Sequence, residues 1–147
     1  MAPALYLILL LGVLAGAVTA DTIRHFYCRH KLRACAHVWQ MHFAAGDRLR
    51  LARRIVHRFP VPGAALIRVR DLIFRTDDSR HQYLFTVDFT VGIIRGKIGR
   101  SRVAGFSEPV TRGQRAQPHP PNLIVAPRQL SGPDAYQYVM EEMMKDE

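Results

Sequence analysis

The pattern of apolar and polar positions distinguishes the N-terminal stretch from the rest of the chain. Residues 2–20 form an apolar run in which no side chain carries a charge at neutral pH. These 19 residues, if helical, span about 28 Å, close to the ~30 Å thickness of a bilayer's hydrocarbon core. The run therefore predicts a helix long enough to cross a membrane.

Strict alternation of apolar and other residues marks a second stretch, residues 83–94. The apolar set is Tyr83, Phe85, Val87, Phe89, Val91 and Ile93. A period of two, rich in aromatic and β-branched residues, predicts a strand with one apolar face. The turn signal Asp77-Asp78-Ser79 predicts an antiparallel hairpin with residues 65–75. That face needs a cover, either the helix around 48–59 or a C-terminal helix.

The pattern near the C-terminus predicts two shorter elements. Residues 122–126 are suited to an edge strand, and residues 134–145 to a helix capped by Ser131 or Asp134. The apolar stripe of that helix is Tyr136, Val139, Met140 and Met143. A Pro-rich connector near 118–121 precedes them, and residues 95–117 are basic and glycine-containing, with no element assigned.

Between the apolar run and the sheet, residues 23–59 show helical spacing. Apolar side chains recur at three- and four-residue steps, and Pro60 ends the pattern. Gly46-Asp47 is a place where the segment divides into two helices, with Asp47 near the second N-terminus. The prediction is a basic amphipathic helical segment.

Charge changes abruptly where the apolar run ends. Between Arg24 and Arg58, nine Lys or Arg side chains accompany a single acid, Asp47. Positive charge that follows a span places the bulk of the chain on the cytoplasmic or matrix side. A cleaved signal peptide carries its positive charge before the apolar core, and no basic residue precedes this run. Because Val18-Thr19-Ala20 is an acceptable cleavage site, a secreted protein is the alternative to a retained anchor.

The net charge of +9 indicates anionic partners. A basic amphipathic helix after a span is expected to lie along lipid headgroups; the alternative is that it packs on the protein's own domain with solvated arginines. The residues expected to contact headgroups or a partner are Arg24, Arg29, Lys31, Arg33, Trp39, Arg48, Arg50, Arg53 and Arg54. Gly12, Ala15 and Gly16 form a small-residue face that permits helix packing in a membrane, or reflect ordinary membrane composition.

The sequence shows no set of residues with catalytic or metal-binding spacing. Cys28 and Cys35 lie about 10 Å apart on a helix, beyond the reach of a disulfide, and are expected to be free thiols. The two cysteines share one face of that helix, and His30 and His37 share the opposite face. The four side chains therefore do not converge on one metal ion. The basic stretch near residue 100 has few interleaved aromatics, which argues against nucleic-acid binding.

One resemblance emerges after the apolar run. The chain reads Ile23-Arg24-His25-Phe26, a basic stretch at 29–33, Ala36-His37, Trp39 and Asp47-Arg48-Leu49-Arg50. This order resembles the MWFE family, the small one-helix accessory subunit of mitochondrial complex I, over residues 1 to about 51. The chain departs from the family pattern in the swapped His and Arg, the absent Gly-Gly or Gly-Arg-Pro, and the closeness of the Trp to the Ala-His pair. The resemblance implies a structural role beside the membrane arm, residues 60–147 as an extension, and no catalytic residue to carry over.

The sequence thus predicts an α+β protein with a single N-terminal transmembrane helix (1–22), a basic amphipathic helical segment (23–59) and a small antiparallel β-hairpin or sheet domain with a C-terminal helix (60–147). We expect a non-catalytic, single-pass accessory subunit of a mitochondrial inner-membrane respiratory assembly. Complex I is the favoured assembly, and the subunit is expected to stabilise its membrane arm. Its bulk faces the matrix, its partners are other subunits and anionic phospholipid, and no cofactor or nucleic acid is expected. The alternative is a secreted small α+β binding or inhibitor protein with residues 1–20 cleaved.

Overall fold

The computed structural model describes residues 2–92, 98–110 and 122–145. Its elements, in chain order, are α1 (Ala2–Val38), β1 (His42–Ala44), α2 (Leu51–Ile55), β2 (Ala65–Thr76), β3 (Arg80–Val91), β4 (Ile98–Pro109), β5 (Ile124–Val125) and α3 (Gly132–Lys145). The α+β class with a long apolar N-terminal helix, an antiparallel sheet and a C-terminal helix is confirmed. The predicted connector near 118–121 and Ile93 of the predicted alternation lie outside the described residues.

The strands form one antiparallel sheet in the order β1-β2-β3-β4-β5. The predicted hairpin is β2–β3, in which Thr76 pairs with His81. Its turn is held by the Asp77 carboxylate, whose Oδ1 accepts the backbone N–H groups of Ser79 and Arg80, each at 2.8 Å. An aspartate that bonds the backbone two and three residues ahead explains why Asp77-Asp78-Ser79 works as a turn.

Both faces of the sheet are covered. Phe85 and Val87 point toward the face on which α2 packs through Leu51 and Ile55. The opposite face, which includes Leu84, packs against the C-terminal part of α1 and against α3. The two predicted lids are therefore both present, one on each side, and the predicted apolar set from Tyr83 to Val91 packs in the cluster that includes α2.

The basic segment 23–59 is not helical throughout, which corrects the sequence prediction. Helix α1 runs without a break from the apolar stretch to Val38, where a Schellman motif ends it. Gln40 adopts a left-handed conformation (φ 57), its N–H donates to the His37 carbonyl, and the Met41 N–H donates to the Ala36 carbonyl at 2.8 Å. The chain then enters β1, and α2 spans only five residues. Backbone pairing of β1 with β2 overrides the helical pattern here.

Strand β4 is the element that the sequence did not indicate. All of its 12 residues pair with β3. Its Gly105 lies under α3, where an added Cβ would come within 2.6 Å of the Tyr83 carbonyl oxygen and 2.8 Å of Val139 Cγ1. The glycine therefore lets α3 approach the sheet closely.

Candidate functional site

The apolar part of α1 projects away from the folded domain. Its most apolar window is 0% buried, and large side chains such as Leu10 and Val13 are more than half exposed. Thr19 and Thr22 donate their hydroxyls to the carbonyls of Ala15 and Val18, at 2.7 and 2.9 Å, so neither needs an outside partner. By length and composition the helix can cross a membrane, a test that a signal sequence near the N-terminus also passes.

The small-residue face of α1 lies within this exposed part. Gly12, Ala15 and Gly16 are all exposed, and no described atom lies within 4 Å of a Cβ placed on either glycine. The face is open to another helix, and nothing in the described part of the chain packs on it.

Four cationic residues follow the apolar stretch on α1, and we call them the basic collar: Arg24, Arg29, Lys31 and Arg33. At 1.5 Å per residue, Arg24 lies about 5 Å beyond Asp21 along the helix axis, and Arg33 about 18 Å. The Lys31 Nζ sits 4.5 Å from the centre of the Tyr27 ring. The collar is therefore spread along the helix rather than gathered at one level.

Arg29 fixes α1 to the sheet. Its Nε lies 3.2 Å from Asp71 Oδ1, while Arg70 NH1 lies 2.9 Å from Asp71 Oδ2. The Asp71 side chain is only 3% exposed, whereas that of Arg29 is about half exposed. A buried carboxylate requires compensating charge, which the two arginines supply.

Asp71 also joins the other elements of the domain through its backbone. It sits at a bulge in β2 with φ 51, and its N–H donates to the Ala45 carbonyl beside β1. Its carbonyl accepts the Tyr136 hydroxyl of α3 at 2.6 Å. One residue thus contacts α1, the β1 loop and α3. Sequence reasoning missed it, because only its place within an apolar strand pattern marks it as unusual.

The charge network continues to Arg70 and Asp88. Arg70 Nε donates to Asp88 Oδ2 at 2.7 Å, and Ser101 donates to the other oxygen of that carboxylate. Burial lowers the pKa of Arg70, but the hydrogen bond and charge of Asp88, together with the charge of Asp71, outweigh it and leave the pKa raised. The guanidinium is therefore permanently charged.

The predicted contact residues after α1 differ in their surroundings. Arg48, Arg50 and Arg53 are exposed around α2. Arg54 instead forms a two-point ion pair with Glu108 of β4, at 3.1 and 2.5 Å. The hydrogen bond to Glu108 raises the pKa of Arg54 despite partial burial. Arg54 is therefore engaged within the domain.

Trp39 lies at the far end of α1, about 27 Å along the helix axis from Asp21. It is half-buried and packs against the core beneath α3. The exposed aromatic residues nearest the apolar stretch are instead Phe26 and Tyr27, which are 77% and 58% exposed.

The histidine and cysteine cluster lies on α1 as the helical spacing predicts. Cys28 and Cys35 are free thiols. Within residues 2–92, 98–110 and 122–145, no group of three or more His, Cys, Asp or Glu could hold a metal ion.

Comparison of the chain with known protein families, with characterised proteins and with solved structures found no significant match.

Proposed function

We propose that this chain is a single-pass membrane protein whose helix α1 holds a small α+β domain at a set distance from the bilayer. One observation carries the proposal: a single helix joins an exposed apolar stretch to a domain core. The apolar end is fully exposed, while Leu32 and Ala36 of the same helix are buried beneath α3. A helix with one end lacking any protein contact and the other end packed suits an anchor.

The length of α1 relative to the thickness of a bilayer decides which cationic residues reach lipid. Helix α1 has 37 residues and is about 55 Å long, whereas the hydrocarbon core is ~30 Å thick and each headgroup layer adds roughly 5–8 Å. Arg24 falls in the headgroup layer, and the long side chains of Arg29 and Lys31 extend back toward it. Arg33 and the arginines around α2 are farther out, and we assign them to contact with a protein partner or another anion.

The narrower proposal concerns the assembly. Positive charge after the span supports a matrix or cytoplasmic domain, and the resemblance of residues 1 to about 51 to the MWFE family supports the mitochondrial inner membrane. We propose that the chain is a non-catalytic accessory subunit of a respiratory assembly, with complex I as the favoured one. It would contact other subunits and anionic phospholipid. The exposed face of Gly12, Ala15 and Gly16 is suited to packing against a neighbouring helix.

N-terminal sequencing of the mature protein, with carbonate extraction of membranes, tests the anchor. A retained N-terminal segment and resistance to extraction are expected. A mature chain that starts at Asp21 would refute anchoring. Co-migration with a respiratory complex on a native gel is the next expected result, and migration as a free monomer would refute the subunit proposal alone.

A substitution tests the span directly. Replacing Leu11 by Arg near the centre of the apolar stretch should cost ~2.5–3.5 kcal/mol of insertion free energy. Leu49→Arg is the matched control, since Leu49 is exposed on the folded domain. Loss of membrane retention in Leu11→Arg but not in Leu49→Arg is expected; equal retention of both variants contradicts a spanning role.

The second candidate is a secreted small α+β binding or inhibitor protein. The observation in its favour is Val18-Thr19-Ala20, directly before Asp21. Cleavage there would leave an acid in the first turn of the remaining helix, where a negative charge is favourable. The same N-terminal sequencing separates the two candidates.

A further inference from the structure

A basic cleft lies between the last turns of α1 and the loop that follows β1. Its volume is about 510 Å³, and its lining residues are Arg33, Phe43, Ala44, Ala45, Gly46 and Arg48. The volume falls within the range of small-molecule binding sites. Two arginines that are 15 positions apart in the sequence therefore line one cavity, together with Phe43 and small residues.

Neither arginine of this cleft is neutralised by the domain. Within the part of the chain that the structure describes, Arg33 and Arg48 form no ion pair. The acid in the same loop, Asp47, is turned to α2, where its two oxygens accept the N–H groups of Leu51 and Ala52 at 2.7 and 3.0 Å. Two like charges that line one cavity repel each other unless an anion lies between them.

The cleft is also ordered in advance of binding. The Arg33 guanidinium lies 5.3 Å from the centre of the Phe43 ring, which restrains its plane. The loop is held by the Asp71 N–H, which donates to the Ala45 carbonyl at 3.1 Å, and by the Arg48 N–H, which donates to the Gly46 carbonyl at 3.0 Å. Restrained donors lose less entropy when a ligand binds.

We propose that this cleft binds the phosphate group of an anionic ligand. Guanidinium groups match phosphate oxygens in two-point hydrogen bonds, and a pair of them suits one phosphate better than one carboxylate. Open space around Gly46, where a Cβ meets no atom within 4 Å, admits the rest of the ligand.

The phosphate has two sources, a lipid headgroup or a soluble compound. Arg33 lies about 18 Å beyond Asp21 along α1, outside the headgroup layer of an upright helix, which favours a soluble compound. The site is formed by the folded domain, so phosphate binding itself does not depend on the proposed anchoring, whereas this choice of source rests on it.

Calorimetric titration of the full chain in uncharged detergent micelles with inorganic pyrophosphate tests the site. Saturable binding with one ligand per chain is expected. Arg33→Gln and Arg48→Gln should each weaken it about tenfold or more, as expected for loss of a charge-assisted hydrogen bond. The control Arg128→Gln removes the same charge from an exposed turn and should bind as the wild type does.

Gly46→Glu keeps the test valid if an arginine variant fails to fold. The position has room for a side chain, and the added carboxylate should abolish binding while thermal unfolding stays cooperative. Absence of saturable binding, or equal weakening by Arg128→Gln, overturns the proposal. Binding of an acidic peptide that pyrophosphate does not displace overturns it as well.

Nanodiscs distinguish the two sources. If a lipid phosphate occupies the cleft, discs with cardiolipin should weaken pyrophosphate binding relative to phosphatidylcholine discs, and Arg48→Gln should remove that difference. If the ligand is soluble, both kinds of disc should give the same affinity. Either result supports a phosphate site and identifies its source.

Discussion

At the scale of single residues, buried polar groups connect the helices to the sheet. Tyr136 of α3 is fully buried, yet its hydroxyl has two partners, Thr86 Oγ1 at 2.8 Å and the Asp71 carbonyl at 2.6 Å. Burial is the main reason that its pKa is raised, so the hydroxyl stays protonated and donates. A buried group with both partners in place stabilises one arrangement of the core, because any shift leaves a polar atom unsatisfied.

Tyr136→Phe should lower the free energy of unfolding by about 1–3 kcal/mol, because the Asp71 carbonyl and the Thr86 hydroxyl lose their buried partner. Urea unfolding of the full chain in micelles, followed by Trp39 fluorescence, measures it. Tyr138→Phe is the matched control on the same helix, since Tyr138 is only half-buried. Equal stability of the two variants would show that the Tyr136 hydroxyl contributes nothing.

A second buried tyrosine predicts a pH dependence. Burial, with a contribution from the charge of Glu108, raises the pKa of Tyr83 from its ordinary value of 10 to about 12. Between those values the unfolded chain loses this proton and the folded chain keeps it, so stability falls as pH rises from 10 to 12. Tyr83→Phe should make that decline shallower by up to about 2–3 kcal/mol over the window. Parallel stability curves for the two proteins above pH 10 would contradict this expectation; between pH 7 and 9 they should be parallel.

At the scale of elements, the sequence predicted those helices, strands and turns whose formation depends on residues close together in the chain. The alternation from Tyr83 onward specifies β3, and the turn at Asp77 specifies its hairpin with β2, because both signals lie within a few residues. The apolar stripe of α3 was equally readable, and its residues Tyr136, Val139 and Met143 are buried, although the helix begins at Gly132 rather than at residue 134. The position of Asp47 also followed from its sequence, since its carboxylate caps α2.

Elements that depend on distant partners were not readable. Strand β4 contains Gly99, Gly105 and several arginines and serines, a composition of weak β propensity, and it is extended because β3 pairs with its whole length. Strand β1 lies inside a helical pattern and exists because Phe43 pairs with Ile73. The basic collar shows the same limit. Its charges were visible in the sequence, but the contact between Arg29 and Asp71 was not, because it joins residues 42 positions apart.

Gly105→Ala tests how closely α3 packs on the sheet. The new methyl group would meet the Tyr83 carbonyl oxygen and Val139, and backbone cannot yield as a flexible side chain does. We expect a loss of about 1–3 kcal/mol in unfolding free energy. Gly99→Ala, on the same strand with no atom within 4 Å of the added Cβ, should change stability by less than about 0.5 kcal/mol. A tolerated Gly105→Ala would mean that α3 can move away from the sheet at little cost.

At the scale of the whole molecule, α1 joins the apolar stretch and the domain without a hinge in the described residues. Arg29 pairs with buried Asp71, and Leu32 and Ala36 are buried in the core. The C-terminal third of the helix therefore cannot rotate independently of the sheet. Anything that fixes the tilt of the apolar stretch therefore also fixes the orientation of the domain. For the proposed membrane anchor, this coupling gives the domain a defined height above the bilayer, and that height can be measured.

Trp39 is the only tryptophan of the chain and reports that height. For an upright helix it lies about 27 Å beyond Asp21, so brominated lipids in a bilayer should leave its fluorescence unquenched. In a chain that carries Trp39→Phe and Ile23→Trp, the probe lies only about 3 Å beyond Asp21 on an exposed position, and quenching is expected. Quenching of native Trp39 would mean that the helix lies tilted and brings the arginines around α2 onto the headgroups, one of the two arrangements that the sequence left open. The comparison of these two probes thus decides between lipid contact and partner contact for the outer arginines.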